Sequence, residues 1–368
     1  VLVRAAVQHG ARRVAVEELS LPERLDDDMA VLAVEANGMC GSDWEQYRGG
    51  LGIADLLRFP LVPGHETVGR IHSMGSRFAA AGVNVRVGSR VALNSLVACG
   101  VCRDCLAGRR LFCRERFIYG YAPLSVAPGL WGGYAEYVVL RAGTVVYPLP
   151  EFVSAEDAVL FNPLAGGFDW LCRAGSLSVG QSVLILGAGQ RGLCAVVAAV
   201  EAGASTIILA GRGRHAWKLQ FAADLGATHV LDMETTDVVE SVRDITGGDM
   251  VDCALDTVPN ATEPVRIALD SVRAEGTVVL GGIKGGASSV DGLTPDVLCA
   301  RGITARGVFG VSDWSKQEAV RVIASQRHPA LSRMHTHTFG LDQIDHALRV
   351  MGGEVPGEEA LHVTVTCG

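Results

Sequence analysis

The stretch VLILGAGQRGLCAVVAA, residues 183–199, decides the fold. Four apolar residues run unbroken, then glycines stand at 187, 189 and 192 in G-x-G-x-x-G spacing, and a second apolar run follows. The pattern predicts a strand, a tight turn and a helix, which is the setting in which this glycine spacing carries meaning. Gly187 permits the turn, Gly189 lets a pyrophosphate approach the backbone, and Gly192 lets the helix pack on the strand. The helix N-terminus then meets phosphate with unpaired N–H groups and partial positive charge. Gln190 and Arg191 complete the motif and belong to the same candidate dinucleotide site. A glycine turn that binds nothing is the plainer alternative.

Working outward, the strand–helix unit repeats. STIILAG (205–211), KLQFAADLGATHVLD (218–232), GGDMVDCALDTV (247–258) and EGTVVLGGIKGG (275–286) supply further short apolar strands and a helical segment. Strands alternating with helices predict a doubly wound parallel sheet, the Rossmann arrangement of the α/β class. Residues before about 155 read differently, as short apolar runs separated by Gly, Pro and Asp. The expected organisation is a strand-rich domain over 1–155, the dinucleotide-binding domain over 156–305, and a return of 306–368 to the first domain.

Bulk properties narrow the function classes. Of 368 residues, 49% are hydrophobic and 20% charged, which suits a globular chain of about two domains. The net charge of −8, with no long basic run, argues against a nucleic-acid partner. No uninterrupted apolar stretch is long enough to predict a membrane span. No charged-then-apolar leader opens the sequence, so no signal peptide is expected. Ten cysteines, several inside apolar runs, predict a reducing, cytoplasmic setting rather than a disulfide framework.

Four of those cysteines form ACGVCRDCLAGRRLFCRE (98–115), with Cys99, Cys102, Cys105 and Cys113 at C-x2-C-x2-C-x7-C. Four thiolates close a tetrahedral zinc site that stabilises a loop and leaves no open position. An iron–sulfur cluster is the chemical rival, and a chance cysteine-rich loop the plainest reading. Upstream, GMCGSDWE (38–45) offers Cys40, Ser42, Asp43 and Glu45, and PLVPGHETVGRI (60–71) offers His65 and Glu66. Thiolate and imidazole from separate segments suit a catalytic zinc with an open position. Taken alone, one Cys and one His more often serve a core.

The order of these pieces resembles the zinc-containing medium-chain dehydrogenase/reductase family over nearly the whole chain. The G-H-E-x2-G-x5-G spacing is met by Gly64, His65, Glu66, Gly69 and Gly75; Phe78 departs from the smaller residue usual three positions on. The resemblance implies a GroES-like catalytic domain beside the Rossmann domain. It implies that Cys40 and His65 ligate the catalytic zinc, that Glu66 can approach the metal, and that Ser42 passes the alcohol proton away. Glu45 stands where the family often has a histidine at the far end of that relay. The family's third protein ligand falls in an E-P-L stretch in its polyol-type branch, and here the stretch is Asn162-Pro163-Leu164. An amide is a neutral, weaker donor. Asn162 is therefore read as a ligand, as a group supporting a ligand, or as a helix-start residue ahead of Pro at N1. Asp169 lies about 10 Å further along a helix and is a poorer candidate.

Strand STIILAG ends in Gly211 instead of the carboxylate that would bind a ribose 2′-hydroxyl. Arg212, Gly213, Arg214 and His215 follow, and two guanidinium groups could pair with a 2′-phosphate. NADP(H) is thus favoured over NAD(H), unless the arginines are merely solvated. The resulting expectation is a zinc-dependent alcohol dehydrogenase or carbonyl reductase acting on a small-molecule alcohol or ketone, secondary or cyclic. Trp44 and Trp131 are candidates for lining the substrate cleft or for core packing. Two rivals remain: a zinc-free, quinone-oxidoreductase-like reductase of activated double bonds, and a cofactor-binding protein without turnover. By analogy with the family, a homodimer or homotetramer is expected, with ITARGVFGV (303–311) as the candidate sheet edge.

Overall fold

The computed structural model describes residues 1–367 except 51–56, 81–82, 214–215, 286–288, 291–292 and 294. The chain forms two compact units, Val1–Asn162 with Val320–Gly368, and Pro163–Ala319.

In the first unit, β1 (Leu2–Gly10) and β2 (Arg13–Ser20) form a hairpin. Seven more strands follow: β3 (Ala30–Gly38), β4 (Glu66–Met74), β5 (Arg90–Leu93), β6 (Leu96–Val97), β7 (Phe117–Ile118), β8 (Tyr137–Leu140) and β9 (Val146–Pro148). The second unit contributes β10 (Ser182–Leu186), β11 (Thr206–Gly211), β12 (His229–Asp232), β13 (Val251–Asp256), β14 (Val272–Leu280) and β15 (Thr304–Gly307). The returning segment adds β16 (His335–Gly340) and β17 (His362–Thr366) to the first unit.

The sheet of the first unit runs β16-β17-β3-β4-β5-β9, with β8 also on β3. Its core gathers Leu32, Met39, Ile71, Trp131, Tyr134 and Val363, all buried. β3 and β4 pair antiparallel with Gly38 opposite Glu66, and this register brings the end of one strand to the start of the other. The sheet of the second unit runs β12-β11-β10-β13-β14-β15, and every pair in it is parallel. The strand cores VLIL (183–186) and IILA (207–210) are wholly buried, as a sheet covered on both faces requires. Strand order reverses beside β10, at the switch point where such sheets take their ligands.

Both boundaries between units lie later than the expected 155/156 and 305/306. Residues up to Ala319 stay with the dinucleotide unit because side chains hold them there. The Trp170 indole N–H donates to Gly310 O at 3.1 Å, and the Ser312 N–H donates to Asp169 Oδ1 at 3.1 Å. Trp314 stands edge-on to Phe168. Such contacts leave no trace in composition or periodicity. Among the described residues, no helix is long and apolar enough to cross a membrane.

Candidate active site

Cys40 lies just past β3 and caps the helix Gly41–Arg48, and its own N–H donates to Asp43 Oδ2 at 2.8 Å. His65 lies just before β4, after Gly64, whose φ of 96° lies in the region glycine favours. A Cβ on Gly64 would stand 2.8 Å from Tyr134 N, so only glycine lets the chain pass there. The β3–β4 register then gathers Cys40, His65 and Glu66. One ligand atom from each lies within 4.8 Å of the others.

The surroundings of this trio are polar and dry. Asp43, 2% exposed, sets Oδ1 3.2 Å from His65 Nδ1 and accepts from the Tyr134 hydroxyl at 3.2 Å. A carboxylate behind one imidazole nitrogen favours positive charge on the ring and leaves the other, Nε2, for the opposite side. That Nε2 is 3.3 Å from Ser42 Oγ. Burial opposes charge on His65, but Asp43 and Tyr121 outweigh it and hold the imidazole well above its ordinary pKa. The site therefore favours a positive group among these residues, a proton or a metal ion. Glu66 is fully buried at the head of β4. A Cβ on Gly38 would lie 2.8 Å from Glu66 Oε2 and 3.1 Å from His362 Nε2, so the strand opposite is kept bare for this carboxylate. Thiolate, imidazole and carboxylate converging in a dry pocket are the donor set of zinc.

Asn162 is the second residue of the helix Phe161–Gly167 and is 6% exposed. Its Nδ2 donates to Glu66 Oε1 at 2.5 Å, so the residue expected to be ligand, support or cap stands directly behind a ligand candidate. Glu45 pairs with Arg48, its carboxylate 2.6 Å from Arg48 Nη2. Asp169 is likewise taken, by Arg173 at 2.7 Å. Trp131 is 1% exposed, donates to Val126 O and meets Phe117 edge-on, so it belongs to the core. Trp44 is packed between Arg12 and Tyr47, and its ring fills the place a Cβ on Gly352 would need. Neither indole thus argues for an apolar substrate.

Two neighbours of the trio escaped the sequence reading. Tyr121 sets its ring centroid 5.7 Å from that of His65. Nothing in its sequence setting separates it from Tyr119, a core residue bonded to Thr144. His362, fully buried on β17, sets Nε2 4.0 Å from Glu66 Oε2. It comes from the far end of the chain, where the sequence reads only as a last strand.

The second metal group joins Cys99, Cys102, Cys105 and Cys113, again within 4.8 Å. Cys102 caps the short helix Arg103–Leu106, which carries Cys105, and Cys113 is buried beneath them. Backbone N–H groups of Val101 and Cys102 lower the Cys99 thiol, whereas burial and the neighbouring sulfurs raise that of Cys105, so the four share negative charge unevenly.

At the dinucleotide turn, Gly187 has φ 106°, and a Cβ on Gly192 would sit 1.8 Å from Gly187 O. Gly189 caps the helix Gln190–Glu201, and a Cβ there would meet nothing within 4 Å. The turn therefore has an open face beside the helix N-terminus, as a bound pyrophosphate requires. Gln190 is buried, whereas Arg191 lies over the Trp170 ring, where Gly166 leaves room for it. Gly211 is buried at the end of β11 and Arg212 is exposed just after it; Arg214 lies outside the described residues. Asp232 Oδ1 accepts from the Gly213 N–H at 2.7 Å and from the Glu234 N–H at 2.9 Å, and Oδ2 accepts from the Thr235 hydroxyl. It is the carboxylate nearest in register to the missing one, Gly211 facing Asp232 across β11 and β12.

Comparison with known proteins agrees with this geometry. Residues 26–151 match the family model "Alcohol dehydrogenase GroES-like domain", and residues 192–325 match "Zinc-binding dehydrogenase". The Mycobacterium tuberculosis protein named "Probable alcohol dehydrogenase adh" is 37% identical, over 99% of this chain and 98% of its own. Sorbitol dehydrogenase of Bacillus subtilis is 32% identical, over 76% of this chain and 75% of its own. Among solved structures, one from Sinorhizobium meliloti 1021 bound to NADP superposes with a TM-score of 0.85 at 26% identity, covering 100% of this chain and 99% of that one.

Proposed function

Since the chain belongs to the zinc-containing medium-chain dehydrogenase family, we propose that it transfers hydride between NADP(H) and the carbon of a secondary or cyclic alcohol or ketone. The observation that carries this reading is the convergence of Cys40, His65 and Glu66 within 4.8 Å, with the Ser42 hydroxyl beside His65. Cys40, His65 and Glu66 would hold the catalytic zinc, and Cys99, Cys102, Cys105 and Cys113 a structural one. When bound, zinc supplies Lewis-acid polarisation of the substrate oxygen, and the nicotinamide gives or takes the hydride. Asp43 places a carboxylate oxygen 3.2 Å behind His65 Nδ1. Ser42, with its hydroxyl 3.3 Å from His65 Nε2, would carry the substrate proton. Gly187, Gly189 and Gly192 receive the pyrophosphate.

The reading favours NADP(H) because Arg212 is exposed beyond Gly211 and Asp232 already accepts from Gly213, Glu234 and Thr235. A homodimer or homotetramer is supported by β15, the last strand of its sheet, whose four residues are all exposed. Ten cysteines, all present as thiols, support a reducing, cytoplasmic setting. The test is metal analysis with cofactor titration. About two zinc ions per chain, and NADPH-dependent reduction within a ketone panel, are expected. A single zinc retained by the four cysteines, with turnover only of activated double bonds, would overturn the reading in favour of the zinc-free reductase.

A further inference from the structure

Glu66 is enclosed on three sides: Asn162 Nδ2 bonds its Oε1 at 2.5 Å, His362 Nε2 lies 4.0 Å from its Oε2, and Gly38 presents no side chain. Yet an oxygen of this same carboxylate belongs to the group formed with Cys40 and His65. The geometry points to Asn162 as the positioning residue that aims Glu66 at the metal, so that the carboxylate of residue 66, rather than the amide of residue 162, is the third protein ligand. This rests on the reading of the site as a zinc centre.

The charge count supports it. A Cys40 thiolate and a Glu66 carboxylate together already match the two positive charges of zinc. A carboxylate at position 162 would offer the Glu66 carboxylate no donor at the place of the present hydrogen bond. An amide N–H does the reverse, because it donates to the carboxylate and leaves its charge in place. The apparent loss of a ligand at Asn162 is then a transfer of that role to Glu66. Groups behind a ligand are known to matter on the scale of about 10–100-fold in metal affinity.

The experiment is a double-mutant cycle on zinc affinity, read by chelator competition. It compares the full chain with Asn162→Ala, Asn162→Leu, Glu66→Ala and the Ala/Ala double variant. Asn162→Leu keeps the volume while removing the donor, and retention of the four-cysteine zinc reports that each variant is folded. The expected result is that both Asn162 variants hold the catalytic zinc about 10–100-fold more weakly. That penalty should vanish once Glu66 is already alanine. Unchanged affinity in the Asn162 variants overturns the inference, as does a penalty that persists in full without Glu66, which would make the amide itself the ligand. A wild-type chain that retains only the four-cysteine zinc instead refutes the zinc-centre reading beneath it, and the two failures are told apart by this measurement alone.

Discussion

Ser42 and Trp131 show how differently two conspicuous residues can act. The Ser42 hydroxyl bears on His65 and holds no part of the core. Ser42→Ala is expected to lower kcat by about 10²–10⁴-fold with both zinc ions retained, since a positioned proton carrier contributes on that scale. Steady-state kinetics beside metal analysis checks this. Trp131 is the opposite case, a fully buried indole whose N–H is bonded. Trp131→Ala should cost about 3–5 kcal/mol of stability in denaturant titration while the KM of the remaining folded enzyme holds. Cys40, His65 and Glu66 could be singled out only through the family resemblance, carried by the order of GMCGSD, PGHETVG, the cysteine cluster and the dinucleotide turn, since one Cys and one His alone read as core. Tyr121 and His362 could not be, since their importance is a matter of distance in space and neither carries a local signal.

Elements carry effects that no single side chain explains. The turn after β11 lacks a carboxylate and exposes Arg212, so Arg212→Ser should raise the KM for NADP+ by about tenfold and leave that for NAD+ nearly unchanged, consistent with loss of one charge-assisted contact. In the helical segment Phe168–Ala174, burial works against the Asp169 carboxylate, but bonds from Arg173 and Ser312 outweigh it and hold its pKa below the usual range. A carboxylate lowered on folding stabilises the native state above its unfolded pKa, about 4, and that share is lost as pH falls through the lower folded value. Asp169→Asn should therefore lower Tm at pH 7 and flatten its fall between pH 4 and pH 2, as calorimetry across that range would record. The strand–turn–helix elements were legible from period and glycine spacing. The β3–β4 register, which builds the site, was not, because alternation fixes which face a strand buries and leaves its partner open.

Over the whole molecule, two units and the return of the chain to the first were readable from the change of texture near residue 155. Their limits were not, because residues up to Ala319 are kept in the dinucleotide unit by Asp169, Trp170 and Phe168, contacts visible only once folded. The cysteine lobe gathers Cys99, Cys102, Cys105 and Cys113, with Arg103, Arg109 and Arg110 exposed or half-exposed along it. Cys105→Ser should lose one zinc per chain and open the lobe to trypsin at these arginines, seen by mass spectrometry, because metal-binding energy is folding energy in such loops. The two metal groups also differ in chemical softness: one is all sulfur, the other mixes sulfur, nitrogen and oxygen. Thiophilic cadmium should therefore settle first in the lobe, and cobalt, more tolerant of nitrogen and oxygen, in the mixed site. One chain could in this way carry two different spectroscopic reporters, and heavy-metal poisoning of the protein would begin at the all-sulfur group rather than at the mixed one.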